Sequence, residues 1–202
     1  MTFFALVRHG QTAWNFDRRI QGLTDIPLNE TGLADARRAA DTLRGERFDA
    51  VITSPLLRAQ QTAEVIASEL LLPAPVIAPT LHERAFGEAE GILVEEFLDR
   101  YGDWHAEVPG AESFDEVRER ALAALDEIAR RARARTAPRA PRLIVVTHGG
   151  LIRSLVHHAS KGTIPAHGSR LLNGSVHRFV ADNAGVHLLA SDLGQSEELI
   201  GV

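Results

Sequence analysis

The sequence of 202 residues contains no cysteine. That absence excludes disulfide frameworks, thiolate nucleophiles and thiolate zinc sites together. Lysine is scarce as well: of 22 basic residues only Lys161 is a lysine, so nearly every cation is an arginine. Long apolar runs are also missing. Stretches such as Leu143–Val146 fall far short of the roughly 20 residues that a membrane span needs. Met1–Val7 leads directly into Arg8 and His9, without the basic start, long apolar run and small-residue cleavage site of an export signal. The expected compartment is therefore the cytoplasm. No internal repeat and no low-complexity linker interrupts the chain.

What is present fits an ordinary globular protein. The apolar share is 45% and the charged share 24%, and a single domain spanning residues 1–202 is expected from the length. The formal net charge of −5 offers no global attraction to nucleic acid. Six arginines (130, 131, 133, 135, 139 and 142) crowd into one stretch, but no aromatic residue lies among them to stack on bases. They read as a solvated helix end.

Apolar strands alternate with amphipathic helices. Phe3–Val7, Ala50–Ile52 and Leu143–Thr147 read as buried strands. Residues 31–44 read as a helix with Leu33, Ala36, Ala40 and Leu43 on one face. Ser54 and Pro55 predict a helix start, as cap and first helical residue, ahead of Ala59, Ala63 and Ile66. Ser113 and Glu116 have capping-box spacing, and Gly149-Gly150 opens another helix. Ser175–Val180 and Val186–Leu189 read as a hairpin. The alternation predicts an α/β fold: a three-layer α/β/α sandwich around a mainly parallel sheet. Residues 84–115 have the weakest periodicity and are expected to form a small cap insertion over the site.

Ligands of open α/β sheets bind beyond the carboxyl ends of the strands. Applied here, that rule selects Arg8-His9-Gly10, then Ser54 with Arg58, then His148-Gly149-Gly150. Arginine matches phosphate oxygens with a planar fork of donors, and the helix starts at Pro55 and Gly150 are expected to add amide donors. Histidine can serve as nucleophile or base. The residues describe a phosphate site, with His9 expected to lie in an open pocket.

Four ordered blocks carry a resemblance. Leu6 to Thr12 resembles the Arg-His-Gly signature of the histidine phosphatase superfamily, phosphoglycerate mutase-like branch. Asn15, Arg19-Ile20-Gln21-Gly22, Asp25, Pro27-Leu28 and Gly32 continue that N-terminal pattern. Thr53–Ala59 with Thr62-Ala63, Leu81-His82-Glu83 with Phe86-Gly87 and Glu90-Gly91, and Thr147–Gly150 resemble the remaining blocks. The resemblance implies that His9 is the nucleophile and becomes a phosphohistidine. Arg8, Arg58 and His148 would hold the phosphoryl oxygens. Glu83 would be the acid and then the base, with Glu88 and Glu90 as nearby alternatives. Its acid role calls for an enclosing apolar surround, for which Phe86 and Trp104 are candidates. Asn15, Gln21, Gly22 and Gly149 are candidate substrate contacts, although a loop amide can equally satisfy its own turn. No grouping has metal-ligand spacing, and no metal or other cofactor is expected.

The block Glu83-Arg84 leans toward mutases. Residues 91–113, however, are short and hold one basic residue, Arg100, whereas a bisphosphate-dependent mutase needs several extra cations. The expected activity is therefore phosphomonoester hydrolysis on a small-molecule phosphate ester. Phosphoglycerate mutase is the alternative, and a non-catalytic phosphate-binding module is a third reading. A homodimer through an edge strand or a helix is left open.

Overall fold

The computed structural model describes residues 1–164 and 169–193. Its elements run β1 (Thr2–Arg8), α1 (Ala13–Phe16), α2 (Glu30–Leu43), β2 (Ala50–Thr53), α3 (Leu57–Glu69), β3 (Val76–Ile77), α4 (Val94–Tyr101), α5 (Phe114–Thr136), β4 (Arg142–Thr147), α6 (Gly149–Ala159), β5 (Val176–Asp182) and β6 (Gly185–Ser191). The six strands form one sheet in the order β3-β2-β4-β1-β5-β6. Strands β1 to β4 run parallel, and β5 and β6 complete the sheet as an antiparallel hairpin.

The layers follow from side-chain alternation along the central strands. Phe4 and Leu6 on β1, with Leu143 and Val145 on β4, face one way and pack under α5 and α6. Ala5, Val7, Ile144 and Val146 face the other way and pack under α2 and α3. Helices cover both faces, so these strands need no polar side and are apolar throughout. The expected three-layer α/β/α architecture is the one observed.

Two helix starts differ in how they are capped. Ser113 accepts from the Glu116 amide while the Glu116 carboxylate receives the Ser113 amide, so the capping box at α5 is formed. At α3 the helix begins at Leu57, with Leu56 as N-cap and no side-chain cap. Ser54 is instead drawn away by His148, whose Nε2 lies 2.6 Å from Ser54 Oγ. Residues 86–108 build a third apolar cluster of Phe86, Ala89, Val94, Phe97 and Val108, which Ile20 joins from the loop after β1.

The arginines of 130–142 are largely matched by acids. Arg130 pairs with Asp126, Arg131 with Glu127, Arg139 with Asp49 and Arg142 with Glu46. Among the described residues no helix is long and apolar enough to cross a membrane.

Candidate active site

Because β1, β2 and β4 are parallel, their carboxyl ends share one edge of the sheet. Arg8 ends β1, Ser54 follows β2, and His148 follows β4. His9 lies among these residues and is buried, at 2% exposure, so the open setting expected from the sequence is not the one observed. Its Nδ1 is 2.7 Å from the carbonyl of Gly10, and Arg58 Nε donates to its Nε2 at 3.3 Å. A guanidinium can only donate, so Nε2 must accept and the proton sits on Nδ1. Burial first, then the charges of Arg58 and Arg8, push the His9 pKa well below its usual value. The ring is therefore neutral, with the Nε2 lone pair facing Arg58 Nε.

The cations are held by backbone carbonyls rather than by acids. Arg58, 1% exposed, donates through Nη1 to Thr24 O at 2.9 Å and through Nη2 to Gly22 O at 2.8 Å. With the bond to His9 this leaves two of its five N–H groups uncommitted. Gly22 can present that carbonyl because its φ is +55°, and a Cβ there would stand 2.0 Å from Glu90 Oε1. Arg8 donates through Nη1 to Leu171 O. Its Nε is buried without a partner among the described residues, and so is Nδ1 of His148. The His148 ring centroid is 5.2 Å from that of His9. Buried polar atoms left unpaired are costly, and two of them lie beside the His9 ring.

Glu83, 9% exposed, faces amides. Oε1 accepts from Arg84 N at 2.8 Å and from Leu151 N at 3.2 Å, and Oε2 accepts from Gly150 N at 2.9 Å. The amides at the start of α6 thus serve this carboxylate, not an external phosphate as the sequence suggested. The start of α3 is likewise occupied, since Leu57 N donates to Asp25 Oδ1 at 2.7 Å. Phe86 and Trp104 belong to the third cluster, where Trp104 stacks on Phe97 at 4.8 Å between centroids. Glu90 clamps the 22–24 loop by accepting from the Leu23 and Thr24 amides, and Glu88 is exposed.

A sequence profile of the histidine phosphatase superfamily (branch 1) matches residues 4–192. The chain belongs to that superfamily. An uncharacterised phosphatase, PhoE, of Bacillus subtilis is 38% identical over 86% of this chain and 85% of its own. A metal-independent phosphoserine phosphatase of Arabidopsis thaliana is 36% identical over 87% of this chain and 75% of its own. A probable phosphoglycerate mutase, GpmB, of Photorhabdus laumondii is 36% identical over 83% and 78%. The solved structure of Bacillus stearothermophilus YhfR superposes with a TM-score of 0.78 at 28% identity, covering 93% of this chain and 95% of that one.

Within this histidine phosphatase, the four expected substrate contacts have distinct surroundings. Asn15 completes a capping box with Thr12, its Oδ1 accepting from the Thr12 amide and from Asn173. Gln21 Oε1 accepts from Thr12 Oγ1 at 3.0 Å. Gly22 holds Arg58 as described, and Gly149 leaves room for Arg8, whose Nε would stand 3.2 Å from a Cβ at that position. Sequence reasoning missed Asn173, which donates to the His9 carbonyl at 2.9 Å from a loop with no periodicity. It also passed over Thr62, which takes the Gly10 amide at 3.0 Å and donates to Arg58 O at 2.7 Å. Thr62 was visible in the second block but carried no charge to single it out.

Proposed function

We propose that the protein hydrolyses phosphomonoesters of small metabolites through a phosphohistidine at His9. Neutral Nε2 attacks phosphorus in line, and the phosphorus–oxygen ester bond breaks as the nitrogen–phosphorus bond forms. Arg8, Arg58 and His148 hold the non-bridging oxygens, using the unpaired Nε of Arg8 and Nδ1 of His148. Glu83 gives its proton to the leaving oxygen. It then takes one from the water that displaces His9, releasing inorganic phosphate and restoring both groups. The observation that carries this reading is the His9 ring, with its proton on the Gly10 side and its lone pair on the Arg58 side.

Hydrolysis is favoured over transfer by two arginines. Arg84, which follows the acid, lies over Phe86 and Phe114 at 4.9 and 4.2 Å and donates to Glu112 O and Trp104 O. Arg100 pairs with Glu96. Both of these cations are already committed to partners of their own. The segment 84–115, with its own apolar cluster, acts as a cap within a single domain. Residence in the cytoplasm belongs to the same reading, and sedimentation at several concentrations decides between a monomer and a homodimer. Phosphorus NMR of the metal-free protein with a panel including 3-phosphoglycerate, with and without bisphosphoglycerate, tests the reaction. Inorganic phosphate is expected from the esters alone. Migration to the neighbouring hydroxyl only in the presence of primer would make the protein a mutase.

A further inference from the structure

Arg153 and Arg170 are cations for which the mechanism has no use. Arg153 lies on α6 one turn beyond Gly149, on the same face of the helix. At Gly149 that face passes Arg8 closely. Arg153 Nη2 donates to Ser169 O at 2.5 Å, and Arg8 Nη1 donates to Leu171 O. The two guanidinium groups therefore grip carbonyls two residues apart, roughly 7 Å along an extended chain. Between those carbonyls lies Arg170, which is exposed.

Like charges are gathered here without a counter-ion. Among the described residues every ion pair involves other cations, and none reaches Arg8, Arg153 or Arg170. Burial pushes the Arg8 pKa down to about 10, and repulsion by Arg170, Arg153 and Arg58 acts in the same direction against the opposing charge of Glu83. Burial also lowers that of Arg153. The arginines of 130–142 differ, since four of them carry acidic partners. Arg8 and Arg153, both partly withdrawn from water and without an ion-paired acid among the described residues, are unfavourable neighbours unless an anion joins them, and exposed Arg170 adds to the same positive field. The transferred phosphoryl group accounts for Arg8 and Arg58, and leaves two charges beside it unanswered.

We propose that Arg153 and Arg170 form a second anion subsite adjoining the phosphoryl site, selecting phosphomonoesters that carry a second anionic group a few bonds from the ester. The inference rests on the hydrolase reading above and adds the substrate class to it. It also assigns Arg170, exposed between the two gripped carbonyls, to specificity and not to the chemical step.

Three esters on one three-carbon skeleton test it: glycerol 3-phosphate, 3-phosphoglycerate and glycerol 1,3-bisphosphate, followed by phosphate release. The wild type is expected to favour one or both of the doubly anionic esters over glycerol 3-phosphate by at least about tenfold in kcat/KM, mainly through KM. Which of them it favours tells a carboxylate from a phosphate as the second group. Arg170→Gln, a surface change that threatens no packing, is expected to reduce that ratio to about threefold or less. Arg153→Gln, checked for folding by circular dichroism, is expected to reduce it in the same sense. Equal kcat/KM for all three esters, or a preference that survives Arg170→Gln intact, overturns the subsite and leaves the hydrolase reading standing. Release from none of them overturns both.

Discussion

In the proposed mechanism Glu83 supplies a proton that only some substrates require. A poor leaving oxygen needs that proton in the transition state, whereas a good one departs as an anion. Glu83→Gln is therefore expected to slow alkyl phosphates about 10²-fold or more and an aryl phosphate such as p-nitrophenyl phosphate much less, measured as kcat on each. Equal slowing would move the acid elsewhere. Residue types near strand ends made most of this site legible in the sequence: Arg8, His9 and His148 are polar side chains placed where a core strand stops, and Arg58 stands at the start of the helix that follows β2. The support around them was not legible. Asn173 on the His9 carbonyl and Thr62 on the Gly10 amide are uncharged loop and helix residues whose roles arise only from tertiary approach. The amides on Glu83 were misassigned for a related reason. A helix start offers donors to any acceptor, and only the fold shows which one arrives first.

Between elements, the acid loop is tied to α5 by one ion pair. Arg120 donates to Glu112 through Nε at 2.9 Å and Nη2 at 2.8 Å, a two-point match of guanidinium and carboxylate. The same guanidinium reaches the carbonyls of Thr80, His82 and Glu83. Glu112 receives the Ala85 amide at 3.1 Å, so the start and the end of the cap segment are pinned to each other beside the acid. Both side chains are largely covered, at 15% and 21% exposure. Arg120→Met should cost about 3 kcal/mol, a fall in Tm of roughly 6–12 °C. Arg120→Lys should recover less than half of it, because an ammonium cannot match both carboxylate oxygens. A Tm unchanged in Arg120→Met would contradict this account of the tie. At this scale the sequence was readable where one local motif decides the outcome, as at the Ser113–Glu116 box. It was misleading at Ser54, where a partner 94 residues away in the chain competes for the hydroxyl.

Across the molecule, burial of neutral histidines sets the response to acid. His9 and His148 are held well below the usual histidine pKa, chiefly by burial. His177, buried between Ser175 and Ser191, is lowered to about 4, again by burial with Arg8 adding to it. Each is unprotonated in the fold and takes up a proton once unfolded below about pH 6.5. Stability is thus unaffected by them above that pH and declines as the pH falls toward 4. The decline is at most about 1.4 kcal/mol per pH unit for each histidine. Thermal denaturation from pH 8 to pH 4.5 should show a flat Tm that turns steeply downward below about pH 6.5. A flat Tm to pH 5 would mean that these rings are charged in the fold. The three-layer architecture was legible because apolar strands between amphipathic helices admit few other arrangements. The third apolar cluster was legible only as a break in periodicity over residues 84–115, since it needs Ile20 from elsewhere in the chain.

Trapping the phosphoenzyme tests the account most directly. Protein mixed with radiolabelled 3-phosphoglycerate is quenched in base within milliseconds, digested and mapped. Label on the peptide containing His9, lost on mild acid treatment, formed at least as fast as phosphate is released and absent in His9→Ala, is the predicted result. Steady release of phosphate by a correctly folded His9→Ala protein, or label stably carried by another residue, would contradict it.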